Sequence, residues 1–178
     1  WFNFRSVRET AYVLSLTILA IMATYGLSGW LQYLGVNMTF NAAMNSIPVL
    51  LLAIGVDYGL HVVVRIREEL KSEEEKNPQG RLTLRDFDLE SRRRAIRQGT
   101  ILTSIALLIA IFTDIVGFLS FRLSSLAFLQ VFGTVIAIGL FFIYLLSISA
   151  LPALMLILPV KRLPMEKASK IAVGPVSN

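Results

Sequence analysis

Asp57, Tyr58 and His61 lie within the apolar stretch Ala53–Val64, which reads "AIGVDYGLHVVV" and belongs to a run long enough to cross a membrane. A charged side chain at the centre of a membrane helix costs about 2.5–3.5 kcal/mol, so a residue of this kind usually has a function. In a helix, Asp57 and His61 share a face, and Tyr58 points about 100° away.

Intramembrane carboxylates and histidines serve as proton relays in pumps and transporters. An aspartate at this position is therefore predicted to bind and release protons. His61 belongs to the same relay or extends towards the membrane interface. The alternative is a permanently protonated Asp57 that only hydrogen-bonds a neighbouring helix.

A second acid, Asp114, follows Thr113 in the third apolar run, 15 residues after Gly99 at its inner end. Asp57 lies eight residues before Arg65, which marks the inner interface on its own helix. At a rise of about 1.5 Å per residue, the two carboxyls differ in depth by roughly 10 Å. That separation is too long for a shared proton but suits two stations on a wet path, so Asp114 and Thr113 are candidate secondary members of the relay.

Glycines near these acids predict close helix packing. Gly55 and Gly59 flank Asp57 in a G-x-x-x-G arrangement, which lets another helix or water approach. The same packing role is expected for Gly117, Gly26 and Gly29. No metal site is expected from a sequence with one histidine and no carboxylate cluster, and no cofactor is expected.

The composition predicts an all-α integral membrane protein. Of 178 residues, 55% are hydrophobic and 16% are charged, whereas a soluble domain carries about a quarter charged residues. Four apolar stretches each exceed the roughly 20 residues that span a bilayer. The predicted helices cover residues 11–34, 42–64, 99–121 and 126–152, the last ending near Pro152, and residues 161–178 are expected to form a disordered tail.

The net charge of +5 follows membrane topology and does not indicate a nucleic-acid partner. Ten of the 17 Lys and Arg residues fall between Arg65 and Arg97, two precede Ala11, four follow Val160, and Arg122 stands alone. The positive-inside rule then places both termini and the loop 65–98 in the cytoplasm, for a multi-pass protein of the cytoplasmic membrane. Within this loop, Leu84, Phe87 and Leu89 predict a short amphipathic helix on the membrane surface, with a solvated connector as the alternative.

Three sequence stretches carry a family resemblance. The second helix, "PVLLLAIGVDYGLHVVVRIREE", resembles the fourth transmembrane helix of the RND (resistance-nodulation-division) superfamily, in its MMPL-like hydrophobe/amphiphile efflux branch. "AIRQGTILTSIALLIAIFTDIVGFLSF", with its ending at Gly117–Ser120, resembles the fifth helix. "FGTVIAIGLFFIYLLSISALPAL" resembles the sixth. Residues 1–160 are thus similar to helices three to six of one transporter half, and the start at Trp1 is consistent with a piece of a larger protein.

This resemblance implies export of lipophilic or amphiphilic molecules, such as lipids, hopanoid or sterol-like compounds and drugs, driven by the proton motive force. It assigns the relay to Asp57 and Tyr58, and to His61 by position. With this resemblance, Tyr58 is expected to orient Asp57 or to donate a hydrogen bond to it. It also implies a secondary active transporter and not an enzyme, with a second half or a second copy as partner. Two features depart from the family pattern: Asp114 stands where a second threonine is usual, and the cytoplasmic loop is longer.

Two alternatives remain from the sequence. A sterol-sensing-like module that binds lipid without active transport would share the fold. An intramembrane aspartyl protease would need Tyr-Asp on one helix and Gly-x-Gly-Asp on the next. Here the order is Asp57-Tyr58, and "IFT" precedes Asp114, so the protease motifs are not matched.

Overall fold

The computed structural model describes residues 7–36, 41–76 and 89–157, and this part of the chain is built from helices. The four long helices are α1 (Val7–Tyr33), α2 (Ile47–Lys76), α3 (Leu89–Leu119) and α4 (Ala127–Ile157). Two short 3-10 helices, Ala42–Ser46 and Ser120–Leu123, precede α2 and follow α3. All four long helices are long and apolar enough to cross a membrane, which confirms the predicted fold class.

Helices α2 and α3 extend well beyond the predicted membrane boundaries. Helix α2 continues past Val64 to Lys76, and α3 begins at Leu89 instead of Gly99. Much of the predicted loop is therefore helix, and the described part of the predicted surface helix is the first turn of α3, whereas Leu84 and Phe87 lie outside the described residues.

The extension of α2 has an evident physical reason. Arg65 forms ion pairs with Glu68 at 2.8 Å and with Glu69 at 3.9 Å, three and four residues further along the helix. Such pairs support helix in water. The end of the apolar run therefore does not mark the end of the helix.

Helix α4 continues to Ile157, five residues beyond the end that was predicted at Pro152. Proline inside a membrane helix is tolerated because neighbouring helices and hydroxyl side chains satisfy the freed backbone groups. The Pro152 ring is buried in the bundle. Pro48, by contrast, occupies the second position of α2, where its missing N–H has no helical partner to lose.

The four helices pack as a flattened diamond. Helices α2 and α4 contact each other, and each also contacts α1 and α3, whereas α1 and α3 do not touch within the described ranges. Half of the spanning window of α4 is buried, compared with 17% for α3. Helix α4 is therefore the central element, and α3 presents most of its surface outwards. The core of the bundle includes the following buried residues of α2 and α4: Leu51, Val62, Ile66, Val135, Ile136 and Leu140.

Small residues set the spacing of the helices. A Cβ on Gly55 would lie 2.5 Å from Thr17 Cγ2, and one on Gly59 would lie 2.5 Å from Val13 Cγ1, so α1 packs directly on the backbone of α2. Gly117, Gly26 and Gly29 differ from the expectation, because no described atom lies within 4 Å of a Cβ built on them. These three glycines face open space in the described bundle.

Candidate functional site

Asp57 and His61 lie side by side on the outward face of α2. Their side chains are 63% and 65% exposed, and His61 Nε2 lies 3.8 Å from Asp57 Oδ1. The pair carries opposite charges when the imidazole is protonated, and its separation is one that a bridging water can close. The four-residue spacing thus places both groups on one face, and that face points away from α4 and the core.

Tyr58 points in a different direction and contacts the second acid. The residue is 6% exposed, and its hydroxyl donates a hydrogen bond to Asp114 Oδ2 on α3. The structure therefore does not contain the predicted hydrogen bond from Tyr58 to Asp57. The reason is the helical rotation of about 100° between consecutive residues, which turns the phenol towards α3.

Tyr58 and Asp114 lie at different levels on α2 and α3, and their side chains nevertheless meet. At the inner end, Gly99 packs against Ile66. Tyr58 lies eight residues from Ile66 on α2, and Asp114 lies 15 residues from Gly99 on α3. At about 1.5 Å per residue, the Cα atoms of Tyr58 and Asp114 are therefore offset along the helix axes by roughly 10 Å.

The lean of the two side chains closes this offset. Every Cα–Cβ bond in a helix tilts towards the N-terminus. Helix α2 begins at the end where α3 finishes, so Tyr58 and Asp114 lean towards each other. The long phenol ring spans much of the remaining distance. This lean was readable from the sequence once the two helices were known to be antiparallel.

An open groove of about 200 Å³ lies beside Asp114 on α3. It is lined by Thr113, Asp114, Gly117, Phe118 and Phe121. Thr113 is exposed, and its hydroxyl donates to the Ile109 carbonyl at 3.0 Å. The absence of a side chain at Gly117 keeps one wall of the groove open.

A buried ion pair at the inner ends of α1 and α2 was not anticipated from the sequence. Glu9 is 1% exposed, and Arg67 Nε donates to its Oε1 at 3.1 Å. The second carboxylate oxygen forms an ion pair with Arg67 Nη2 without a well-aligned hydrogen bond. The sequence did contain one signal of this ion pair, because Glu9 is an acidic residue in the first turn of a membrane helix.

Among the described residues, the two intramembrane aspartates are not placed as a pair. Asp57 has His61 as its neighbour, and Asp114 has Tyr58, so the two carboxylates have different partners. Within the described ranges, no group of three or more His, Cys, Asp or Glu residues is placed to hold a metal ion.

Comparison with known families decides the classification. The sequence profile of the MMPL family matches residues 2–172. The chain belongs to the MMPL family. This confirms the resemblance to the MMPL-like branch of the RND superfamily, and the four spanning helices make the chain part of a multi-pass membrane protein.

Two relatives illustrate how much of an MMPL protein the chain represents. It is 26% identical over 167 residues to a protein of Methanocaldococcus jannaschii named as a membrane protein, covering 94% of this chain and 38% of the relative. It is 29% identical over 140 residues to the siderophore exporter MmpL5 of Mycobacterium tuberculosis, covering 78% of this chain and 13% of the exporter. The chain thus spans well under half the length of these relatives. No solved structure was found to match it.

Proposed function

We propose that this MMPL chain is part of a transporter that exports lipophilic or amphiphilic molecules and couples this export to proton entry across the cytoplasmic membrane. Asp57 is the proton-binding carboxylate of the proposal. His61 exchanges the proton with it, Tyr58 positions the relay, and Asp114 with Thr113 forms a second station. Membership of the MMPL family and the similarity to an exporter support transport as the activity.

The observation that carries this proposal is the position of Asp57 and His61 in the middle of a membrane-spanning helix. Their side chains point away from the described core, with a carboxylate and an imidazole 3.8 Å apart. A structural acid would be expected to hydrogen-bond a neighbouring helix, and no such bond to Asp57 is present among the described residues. An exposed pair of titratable groups can gain and lose protons without disturbing the packing of the bundle.

The same position requires a partner. Contact between a charged side chain and the hydrocarbon of the bilayer is energetically unfavourable, so polar groups or water must cover this face of α2. We propose that the second half of the same transporter, or a second copy, provides the cover. Protonation then changes the charge at this interface by one unit, which biases the packing of the two halves between transport states.

The test is the isosteric substitution Asp57→Asn in the intact protein. We expect loss of pH-gradient-driven export of a fluorescent lipophilic dye from proteoliposomes, because the amide cannot bind the proton. Thermal unfolding should change by less than about 0.5 kcal/mol, since the substitution keeps the size of the side chain and removes no packing contact within the described bundle.

Asp57→Glu is the matched control, and it should retain part of the coupled export because it keeps the carboxyl group. Unimpaired dye export by Asp57→Asn would contradict the proposal. Loss of folding in Asp57→Asn would instead support a structural acid, and a lipid-binding module would then be the better interpretation.

A further inference from the structure

Three exposed arginines form a cluster at the inner end of α3. The members of this arginine cluster are Arg93, Arg94 and Arg97. Within the described ranges, none of the three is in an ion pair. Arg65 of α2, by contrast, pairs with Glu68 and Glu69 on its own helix. The guanidinium groups of the arginine cluster are therefore available to an anion that comes from outside the described bundle.

The helices around the arginine cluster supply too few acids to neutralise it. Residues 89–113 contain four arginines and one acid, Glu90, which leaves an excess of three positive charges (four minus one). The end of α4 at the same side of the bundle, residues 148–157, contains no charged residue. This excess of positive charge favours an anionic partner.

The arginine cluster lies at the level where the apolar runs of α2 and α3 meet their charged extensions. Gly99 packs against the backbone of Arg65, the residue that follows the apolar run of α2. Arg97 and Arg94 lie two and five residues beyond Gly99, about 3 Å and 7.5 Å along the helix. The headgroup layer of a bilayer is roughly 5–8 Å thick on each side of the hydrocarbon. Hydrocarbon that covers the apolar runs would therefore place both arginines beside lipid headgroups.

Arg94 is aligned with the apolar residues on the outward face of α3. Ile101, Ile105 and Phe112 follow it after seven, 11 and 18 residues, so all four lie within about 20° of one line along the helix. The three apolar side chains are exposed. From Ile101 to Phe112 this apolar stripe is about 16 Å long, close to the roughly 15 Å of hydrocarbon in one leaflet. The surface thus combines the length of an acyl chain with a positive charge at one end.

We propose that this surface of α3 binds an anionic phospholipid, whose acyl chain lies along the apolar stripe and whose phosphate contacts the arginine cluster. The planar guanidinium group suits a phosphate because it can donate two parallel hydrogen bonds to it. A zwitterionic lipid carries its own ammonium group, which offsets the charge that attracts the arginines, so an anionic headgroup is preferred. The long arginine side chains keep their charged ends in the polar layer while their stems cover apolar surface.

The test measures which lipid lies beside Ile101. Ile101→Cys in the intact protein, without other cysteines, is labelled with a bimane fluorophore and reconstituted into phosphatidylcholine bilayers. The quenchers are phosphatidylglycerol and phosphatidylcholine, each with a nitroxide on carbon 5 of one acyl chain. We expect phosphatidylglycerol to quench the label with an apparent affinity about fivefold higher than that of phosphatidylcholine.

Substitutions in the arginine cluster should control this preference. Arg94→Gln with Arg97→Gln should remove most of it, and Arg94→Lys with Arg97→Lys should retain most of it because lysine keeps the charge. Arg65→Gln is the matched control. Arg65 lies at a similar level but already pairs with Glu68, so its loss should leave the preference unchanged.

The proposal fails if the unsubstituted cluster shows no preference for phosphatidylglycerol, or if the preference survives the double glutamine variant. An equal loss in Arg65→Gln would also overturn it, because the effect would then reflect the total charge at this end. Glycerol phosphate in solution, at constant ionic strength, should leave the preference intact. If it abolished the preference, the arginines would bind phosphate from water and not a lipid. The measurement reports lipid contact alone, so its outcome is independent of proton-coupled export.

Discussion

At the scale of single residues, Tyr58 connects two helices that each carry an acid. The types and spacing of Asp57 and His61 are sufficient to predict that they share a face, because one helix determines that relation. The contact of Tyr58 with Asp114 could not be predicted in the same way. It depends on the neighbour of α2, on the offset between the two helices and on the opposite lean of their side chains.

Tyr58→Phe should therefore destabilise the bundle by about 1–2 kcal/mol, because it removes the donor to a partly buried carboxylate. Tyr144→Phe is the matched control. Its hydroxyl reaches the Ser104 carbonyl only at 3.4 Å, so its loss should be smaller than about 0.5 kcal/mol. Unfolding of the detergent-solubilised protein by dodecyl sulfate measures both, and equal effects would contradict the importance of the Tyr58 contact.

At the scale of the helices, the apolar runs correctly predicted four spanning helices, and the ends of the helices were predicted poorly. Hydropathy reports the thickness of hydrocarbon that a helix crosses. It does not report the charged turns after Arg65, where ion pairs within the helix support its continuation. Pro152 was likewise interpreted as a helix end, although the packed bundle accommodates it.

Close packing of α3 and α4 depends on Gly133, which the sequence did not single out. A Cβ there would collide with the backbone carbonyl of Phe118 and lie 2.9 Å from Phe121 Cβ. Because a backbone atom cannot swing aside as a side chain can, Gly133→Ala should destabilise the protein by about 1–3 kcal/mol. Gly117→Ala should change stability by less than about 0.5 kcal/mol. The same denaturation assay compares the two, and a tolerated Gly133→Ala would refute the described packing.

The ion pair between Glu9 and Arg67 holds the inner ends of α1 and α2 together. Arg67→Met should cost about 3 kcal/mol, because it leaves the buried Glu9 carboxylate without its cation. The half-exposed guanidinium keeps this loss at the lower end of the range for buried pairs. The double variant Glu9→Gln with Arg67→Met should recover much of the stability, as a double-mutant cycle would measure. Purely additive losses would mean that the pair does not couple the helices.

At the scale of the whole molecule, the described bundle has one outward face that is chemically unsuited to lipid and another that suits it well. Asp57 and His61 interrupt the outward face of α2. The outward face of α3 is continuous and apolar, with Ile105, Ile109 and Phe112 each more than half exposed. The sequence predicted the need for a second half but could not tell which surface would meet it, because that depends on how the four helices are arranged.

A spin label on Ala53→Cys should therefore have low accessibility to oxygen in the intact transporter, since the partner or water covers that face. The matched label on Phe112→Cys, at a similar depth on α3, should have the high oxygen accessibility of a lipid-facing site. Electron paramagnetic resonance with oxygen as the relaxing agent measures both. High oxygen accessibility at Ala53 would contradict a covered interface.

The extension of α2 beyond the apolar run would amplify any tilt of the helix around Asp57. From Asp57 to Lys76 the helix runs for 19 residues, roughly 28 Å at about 1.5 Å per residue. A rotation of about 5° around the level of the carboxylate displaces the tip by roughly 2.5 Å, although atoms near Asp57 barely move. A distance probe at the Lys76 end of α2 is therefore the most sensitive place to measure the repacking that we propose for a change of charge at Asp57.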